Sequence, residues 1–291
     1  MNTESKYILA KNGISHWKII ISKEASESET YAAEELQRFI KKISGAVLPI
    51  DDEESRETKW EIVVGNSNRL EKLNLNIDWQ DLGPEGFIIR TVGDKLIIVG
   101  GKLRGTLYGV YSFLEEYLGC RWFSSKVSRI PERGRVEIPS IDEKQFPVLE
   151  YREPYYFDAF DGDWAARNKA NGHFPRLKPH HGGKVRYAHF VHTFHSLVPV
   201  EEYFDTHPEY FSEVDGKRIK ERTQLCLTNP DVFGIALERV RQWIKEEPDA
   251  TIISVSQNDW YNPCQCKNCK VIDEKEAIAE RFCISSIRSL R

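Results

Sequence analysis

The sequence lacks any long apolar run, and this absence excludes one class of protein. No stretch approaches the roughly 20 apolar residues that a membrane-spanning helix needs. The N-terminus, Met1–Lys6, also lacks the apolar core of a secretion signal. We therefore expect no membrane partner, and the cytoplasm is the expected compartment.

An excess of charge of one sign is also missing. The 291 residues include 41 Lys and Arg against 45 Asp and Glu, which gives a formal net charge of −4. Such a balance creates no global field that would attract nucleic acid. We expect no nucleic-acid partner and a ligand that is neutral or only locally charged, and the oligomeric state stays unknown.

Cysteine is scarce and unevenly placed. Six cysteines in a chain of this length are too few for a disulfide scaffold, and three of them crowd into Cys264, Cys266 and Cys269. Reduced thiols or a metal site fit this spacing better. The sequence also contains no internal repeat and no low-complexity tract.

Apolar periodicity predicts an α/β fold in two domains, residues 1–140 and 147–291, with a boundary near residues 140–146. The first domain is predicted to contain strands, two amphipathic helices and a hairpin. They are expected at Lys18–Ser22, Glu27–Ile43, Glu61–Gly65, Gly86–Thr91, Lys95–Gly100 and Leu107–Leu118.

Beyond Pro147, strand and helix patterns alternate, and this alternation is typical of a parallel sheet with right-handed crossovers. Strands are predicted at Val148–Glu153, Val185–Val191, Leu225–Leu227 and Thr251–Val255, and helices near Trp164, Glu201, Asp231–Glu246 and Asp273. A closed (β/α)₈ TIM barrel typically needs about 250 residues. The expectation is therefore the first half of a barrel, in a truncated protein or fragment that would be poorly soluble and inactive alone.

One segment combines the features of a functional site. An apolar strand ends at Ser254 and is followed by Asn258, Asp259, Trp260 and Tyr261, before the cysteines. Loops that leave the carboxyl ends of parallel strands are where α/β folds place their chemistry.

The stretch Leu103–Phe123 (LRGTLYGVYSFLEEYLGCRWF) resembles part of the small α/β domain that precedes the barrel in bacterial α-glucuronidases and β-hexosaminidases. Ala32–Leu36 and the ending Ile43–Gly45 are similar to the first helix of the same domain. This resemblance covers most of residues 18–123, and it implies a β-hexosaminidase domain 2-like fold.

The second part resembles a bacterial barrel family, the domain of unknown function 4838, which lies near endo-β-N-acetylglucosaminidases. Several separate motifs occur in the right order. They are Trp164–Asn168 with Asn171 and Gly172, His192–Pro199, His207–Phe211 with Gly216–Arg218, Gln224–Pro230, Ser256–Asp259 and Cys264–Cys269. The resemblance implies a glycosidase-type barrel and does not determine the sugar.

The resemblance implies that Asp259 is a catalytic carboxylate, because hexosaminidase-like families place a carboxylate pair after the fourth barrel strand. With a 2-acetamido substrate, Asp259 would orient the acetamido group while its carbonyl attacks. Those families continue with a Glu acid, whereas Trp260 follows here, so the acid must lie elsewhere, beyond residue 291. The alternative is that Asp259 caps a turn or helix.

Seven residues are predicted to bind substrate, and each has a structural alternative. Trp260, with Tyr261, could stack on a pyranose or pack in the core. His189, His192 and His195 would gather into a metal site only on a helix, but the residues that flank them predict a strand, which would scatter the three rings. His192 and His195 are therefore predicted to form hydrogen bonds with sugar hydroxyls. The alternative for the remaining charged and amide groups is an Arg–Asp network. The set is Arg152, Arg167, Asn168, His192, His195, Asn258 and Trp260.

Cys226 lies in the predicted strand before the one that leads to the cysteine cluster, and parallel neighbouring strands would bring the two loops together. It could therefore complete a tetrahedral zinc site with Cys264, Cys266 and Cys269. Such a zinc ion would be structural, and no cofactor is expected for catalysis; plain reduced thiols are the alternative.

The first interpretation of function is a glycosidase acting on β-N-acetylglucosaminyl glycans. An α-glucuronidase that uses Arg152 and Arg167 as a uronate clamp, and a non-catalytic carbohydrate-binding protein, are the rivals.

Overall fold

The structure is a computed structural model, and it describes residues 7–73 and 75–275. The chain has a mixed α/β fold and divides after Lys184 into two compact units. Among the described residues, no helix has the length and apolar character needed to cross a membrane.

The described residues of the first unit form ten strands and five α-helices. In chain order they are β1 (Tyr7–Lys11), β2 (Lys18–Ile21), α1 (Glu27–Ser44), β3 (Ile50–Asp52), β4 (Glu61–Val64), α2 (Asn68–Glu71), α3 (Trp79–Leu82), β5 (Phe87–Val92), β6 (Lys95–Gly100), α4 (Gly105–Ser112), β7 (Arg121–Trp122), β8 (Ser128–Arg129), β9 (Arg135–Ile138), β10 (Asp142–Gln145) and α5 (Gly162–Arg167). A π-helical turn, Phe113–Tyr117, extends α4, and two 3₁₀ turns flank α5 at Phe157–Phe160 and Pro179–His181.

A six-stranded sheet organises this unit, in the order β10-β5-β6-β4-β2-β3. Strands β3, β2, β4 and β6 run parallel, and at one side of the sheet β5 is antiparallel to both of its neighbours, β6 and β10. The predicted hairpin is confirmed as β5 and β6, in which Val92 pairs with Lys95. Strands β1 and β9 form a separate antiparallel pair.

Alternating side chains give the sheet two apolar faces. On β4, Ile62 and Val64 belong to the main core together with residues of α1 and α4. Val63 points to the other face and packs with Leu70 and Leu82 in a smaller cluster. The sheet is therefore covered on both faces, as the all-apolar strands require.

Helix α1 ends close to where its sequence pattern predicts. Ser26 accepts a hydrogen bond from the main-chain N–H of Glu29, whose carboxylate accepts the Ser26 N–H in return. This capping box satisfies two helix-end donors. At the other end, Gly45 takes a left-handed φ of 77° and donates its N–H to Lys41 O.

The first compact unit extends past the predicted boundary at residues 140–146. Trp164, Ala165 and Ala166 of α5 are buried in the main core of the first unit. Trp164 also donates its ring N–H to Trp122 O at 3.1 Å. Residues up to Lys184 therefore pack with the N-terminal sheet, because their apolar side chains are needed to complete its core.

The second unit is smaller in its described part. Its elements are β11 (Tyr187–Ala188), α6 (Phe194–Leu197), α7 (Val200–Tyr203), β12 (Glu213–Val214), β13 (Lys217–Arg218), α8 (Pro230–Glu246), β14 (Ile252–Ile253) and α9 (Lys267–Asp273). Strands β11 and β14 are parallel, and β12 and β13 form an antiparallel hairpin. The prediction of α8, capped by Asn229 with Pro230 in its first turn, is confirmed.

The four predicted βα units are not all present in the part of the chain that the structure describes. The predicted strand at Val148–Glu153 is wrong: Val148 is exposed, and the Arg152 N–H bonds to the side chain of Asn171. Leu225 forms a single antiparallel bridge with Phe211. Short apolar runs do not distinguish strands from irregular segments. A helix was predicted to begin near Asp273, but in the described residues α9 ends there, and the rest of the predicted helix lies outside the described residues.

Candidate functional site

Two loops of the second unit leave the same edge of its parallel strand pair. Tyr187 pairs with Ile252 and Ala188 with Ile253, so the carboxyl ends of β11 and β14 lie side by side. Residues 189–195 follow one strand and residues 254–260 follow the other. The two loops therefore start side by side at one edge of this strand pair.

Thr193 joins the two loops. Its buried hydroxyl donates to Ser254 O at 3.1 Å and accepts the Ser256 N–H at 2.9 Å. The Phe194 N–H also donates to Ser256 O at 3.0 Å. These bonds satisfy main-chain N–H and C=O groups that lie past the two-residue pairing of β11 with β14. They also hold the two loops in one arrangement.

Asn258 is buried beneath the second loop and bonds to main-chain atoms. Its side-chain oxygen accepts the His195 N–H at 3.0 Å, and its amide nitrogen donates to Thr223 O at 3.0 Å. Gln224 adds two further bonds, accepting the Asn258 N–H at 2.9 Å and donating to Asn258 O at 2.8 Å. With a 5% exposed side chain, Asn258 holds the loop rather than presenting its amide to solvent.

Asp259, Trp260 and Tyr261 all face solvent. Trp260 is 46% exposed and Tyr261 is 85% exposed, so neither ring fills the core, which was the alternative to sugar stacking. Asp259 is exposed, and no described residue hydrogen-bonds to its carboxylate, which does not support a capping role. A free carboxylate thus stands beside two accessible aromatic rings.

His192, in the neighbouring loop, contacts the backbone of the segment that leads to Asp259. Its Nδ1 is 3.1 Å from Gln257 O, and because a carbonyl can only accept, Nδ1 carries the proton of the neutral ring. This leaves Nε2 as an acceptor. His195 is exposed, whereas His189 stacks on Trp243 with ring centroids 3.7 Å apart.

The four cysteines predicted as metal ligands lie together in the second unit. The sulfur atoms of Cys226, Cys264, Cys266 and Cys269 are all within 4.8 Å of one another, and all four residues are buried. Hydrogen bonds from Cys264 and Cys269 lower the pKa of the Cys226 thiol well below its usual range, and the hydrogen bond with Cys226 raises the pKa of Cys264. This donor set could hold one soft or borderline metal ion.

The remaining predicted substrate ligands lie in the first unit and have internal partners. Arg152 donates to Glu85 at 2.6 Å, to Lys169 O at 2.7 Å and to Leu149 O at 2.6 Å. Asn168 donates its amide to Trp164 O at 2.9 Å. Both side chains thus hold the segment after Pro147 in place.

Arg167 is part of a similar network. Its Nε and Nη2 each lie 3.1 Å from Glu35 Oε2, and Nη2 is 3.4 Å from Asp163. These contacts match the alternative interpretation, an Arg–carboxylate network that stabilises the loop.

Sequence reasoning missed three buried carboxylates among the described residues of the first unit, those of Glu35, Glu61 and Glu85. Glu85 pairs with Arg104 at 2.7 Å as well as with Arg152. Glu35 occupies a position on the apolar stripe of α1 beside Leu36, and that placement was a signal available in the sequence.

A second group of metal-binding residue types, Asp163, His180 and His181, has a different explanation. The Lys178 N–H donates to His181 Nδ1 at 3.1 Å, so the proton of the neutral ring is on Nε2, which donates to Asp163 at 3.1 Å. That hydrogen bond lowers the pKa of Asp163 to about 2. With both ring nitrogens engaged, His181 has no free lone pair for a metal ion.

Comparison with family models shows which protein family the chain belongs to. Residues 122–283, more than half of the sequence, match the model described as Domain of unknown function (DUF4838). The chain belongs to the DUF4838 family. Residues 9–113 match the model of the glycosyl hydrolase family 67 N-terminus. The predicted family and the α-glucuronidase-type N-terminal domain are thereby confirmed for this DUF4838 protein.

Solved structures similar to this DUF4838 protein include three carbohydrate-related proteins. A family GH115 4-O-methyl-α-glucuronidase with specificity for decorated arabinogalactans is 14% identical, with a TM-score of 0.49 over 98% of this chain and 40% of its own. A chitobiase from Flavobacterium johnsoniae is 15% identical, with a TM-score of 0.43 over 94% of this chain and 44% of its own. The protein CpGH84D is 10% identical, with a TM-score of 0.41 over 87% of this chain and 43% of its own. The chain thus spans less than half the length of each of these three proteins. A search of curated proteins finds no match.

Proposed function

We propose that this chain is part of a glycoside hydrolase that acts on O-glycosidic bonds of β-N-acetylglucosaminyl-containing glycans. The observation that carries the proposal is the exposed Asp259 carboxylate, next to the accessible rings of Trp260 and Tyr261, at the carboxyl end of a parallel strand. Flat apolar rings beside a carboxylate suit a pyranose, which has one apolar C–H face and a polar rim.

The proposed mechanism is substrate-assisted retention. The carbonyl oxygen of the 2-acetamido group attacks the anomeric carbon as the glycosidic C–O bond breaks and a general acid protonates the leaving oxygen, while Asp259 accepts a hydrogen bond from the acetamido N–H. Water then attacks the anomeric carbon from the side of the departed group, gives its proton to the conjugate base of that acid and regenerates the acetamido group. Its exposure lets a ligand reach the carboxylate, and the buried Asn258 holds the preceding backbone in position. The general acid must come from another part of the protein, because Trp260 stands directly after Asp259.

The neighbouring loop supplies polar contacts in this proposal. His192 presents Nε2 as a hydrogen-bond acceptor, because Nδ1–H is directed to Gln257 O, and an acceptor of this kind suits a sugar hydroxyl. His195 is exposed beside Asn258 and takes the same role. Trp260 stacks on the sugar, while Asn258 acts as a positioning residue.

A hydrolysis assay on the whole protein that contains this chain tests the proposal. We expect release of the aryl group from an aryl β-N-acetylglucosaminide, and a loss of at least about 100-fold in kcat for Asp259→Asn, since the amide cannot polarise the acetamido N–H. Asp249→Asn, at an exposed position after α8, is the matched control and should keep wild-type turnover. Unchanged turnover in Asp259→Asn would remove Asp259 from the mechanism, and retained glycan binding without any turnover would indicate a carbohydrate-binding protein.

An α-glucuronidase is the second candidate, favoured by the match of residues 9–113 to the glycosyl hydrolase family 67 N-terminus. It needs a basic clamp for the uronate carboxylate. Arg152 and Arg167 already pair with Glu85 and Glu35, which weighs against this candidate. Hydrolysis of an aldotetrauronic acid, with no action on the aryl β-N-acetylglucosaminide, would replace the first proposal by this one.

A further inference from the structure

We propose that Cys226, Cys264, Cys266 and Cys269 bind one structural zinc ion, and that this ion braces the loop that carries Asp259. The site is separate from the proposed chemistry, since no substrate group needs to reach it. It is a property of the folded second unit.

The sulfur positions fit a single tetrahedral ion. Zinc–sulfur bonds of about 2.3 Å at tetrahedral angles place the four sulfur atoms about 3.8 Å apart. The Cys226 sulfur lies 3.7 Å from that of Cys266 and 3.9 Å from that of Cys269. A disulfide would bring two of them to about 2.05 Å. The thiols are thus spaced for a shared ion and not for a covalent bond.

The surroundings can compensate the charge of the site. Four thiolates around Zn²⁺ leave an excess of negative charge, so such sites need hydrogen-bond donors around the sulfur atoms. Arg218 Nη1 lies 3.5 Å from the Cys264 sulfur, and the Glu213 N–H points to the same atom at 3.4 Å. The Thr228 hydroxyl is 3.3 Å from the Cys269 sulfur. Glu213 and Arg218 belong to the β12–β13 hairpin, and Thr228 lies just before α8.

The closed geometry indicates a structural ion and argues against other cysteine chemistry. All four ligand positions of a tetrahedral ion are filled by buried thiols, so no position is open for substrate or water. In an iron–sulfur cluster, thiolates bind different iron atoms, and their sulfur atoms therefore lie farther apart than those around one ion. Zinc is the ion that this set of four sulfur ligands suits best.

The position of the ligands explains what the ion would hold. The segment from Asn258 to Cys264 contains no strand or helix. Its start is held by Asn258 and by Gln224, which donates to Trp260 O at 2.6 Å. Cys264 would hold its other end. With both ends of the segment held, the backbone of Asp259, Trp260 and Tyr261 keeps one arrangement.

Metal analysis of the purified whole protein tests the site, and no substrate is needed. We expect about one zinc ion per chain in the wild type and in Cys120→Ser, since Cys120 is a buried cysteine of the first unit. The double variant Cys266→Ser/Cys269→Ser should retain less than about a tenth of that zinc, because two oxygen ligands bind zinc weakly at this site. Wild-type protein without zinc, or equal zinc in the double variant, would overturn the proposal.

A second measurement covers the case in which the double variant does not fold. Replacing zinc by Co²⁺ in the wild type should give the visible absorption bands of a tetrahedral cobalt–thiolate centre. The single variant Cys269→His keeps four zinc ligands and should retain the ion with shifted cobalt bands. Absence of these bands in the folded wild type would refute a four-thiolate site. Metal content is independent of turnover, so a failed glycosidase assay leaves this proposal intact, and the reverse also holds.

Discussion

Glu35 is a buried carboxylate on the apolar face of α1, with a side chain only 1% exposed. The hydroxyl of Tyr111 donates to it at 3.0 Å, Arg167 at 3.1 Å, and Arg38 at 3.0 Å. A buried charge is tolerated when it is paired and its lone pairs are filled, as they are here. The protein loses stability when one partner is removed, because the other charge then stays buried without compensation.

We expect Glu35→Gln to lower the free energy of unfolding by roughly 3–5 kcal/mol, because it leaves the largely buried Arg167 guanidinium with only the half-exposed Asp163 as counter-charge. Urea unfolding measures this change. Glu34→Gln is the control, since Glu34 is exposed on the same helix, and its effect should stay within about 0.5 kcal/mol. Equal stability of the two variants would show that the Glu35 network contributes little.

Helix α4 lies unusually close to the sheet at its first turn. A Cβ on Gly105 would stand 2.4 Å from Gly86 O and 2.9 Å from Gly100 C, both main-chain atoms that cannot move aside. The small residues of this region therefore allow the helix to contact the ends of β5 and β6. Gly234 of α8 differs, because a Cβ there meets nothing within 4 Å.

These two glycines should respond in opposite directions to the same substitution. Gly105→Ala should destabilise the protein by about 3 kcal/mol or more through backbone overlap. Gly234→Ala should stabilise it by about 0.5–1 kcal/mol, since alanine is the better helix former. Urea unfolding followed by circular dichroism compares them. A neutral Gly105→Ala would contradict the close packing of α4.

At the scale of the whole molecule, the main question is where the first unit ends. The core of residues 7–184 includes α5, and Arg152, Arg167 and Asn171 connect the later segment to Glu85 and Glu35. Chain composition favours a boundary at residues 140–146, because prolines and charges are dense just before it. Packing places it at Lys184.

Two fragments of the chain distinguish these boundaries. A fragment of residues 1–184 should unfold cooperatively, because it contains its complete core. A fragment of residues 1–146 should be markedly less stable or aggregate, since it exposes the surface that Trp164 and Ala165 cover and leaves Glu35 without Arg167. Thermal unfolding by circular dichroism, with the whole chain as reference, makes the comparison. Equal stability of both fragments would restore the earlier boundary.

Much of the N-terminal unit was predictable because its signals are local. The β2 run Lys18–Ile21, the stripe of α1 and the β5–β6 hairpin each follow from residues within one element. The family resemblance rested on motifs of the same local kind, and the family matches agree with it. Beyond residue 146, the apolar runs around Val148 and Leu225 were equally local but did not become paired strands, because pairing needs a partner that the run does not encode.

The amino-acid pattern alone was enough to place Asp259, Trp260 and Cys264 on a loop after a strand, since strand and loop composition differ within a few positions. Tertiary structure decided which side chains are free to bind anything. Arg167 and Glu35 are 132 positions apart, and Asn258 bonds to groups more than thirty positions away. A donor's partner depends on how the chain packs, and no local pattern records it.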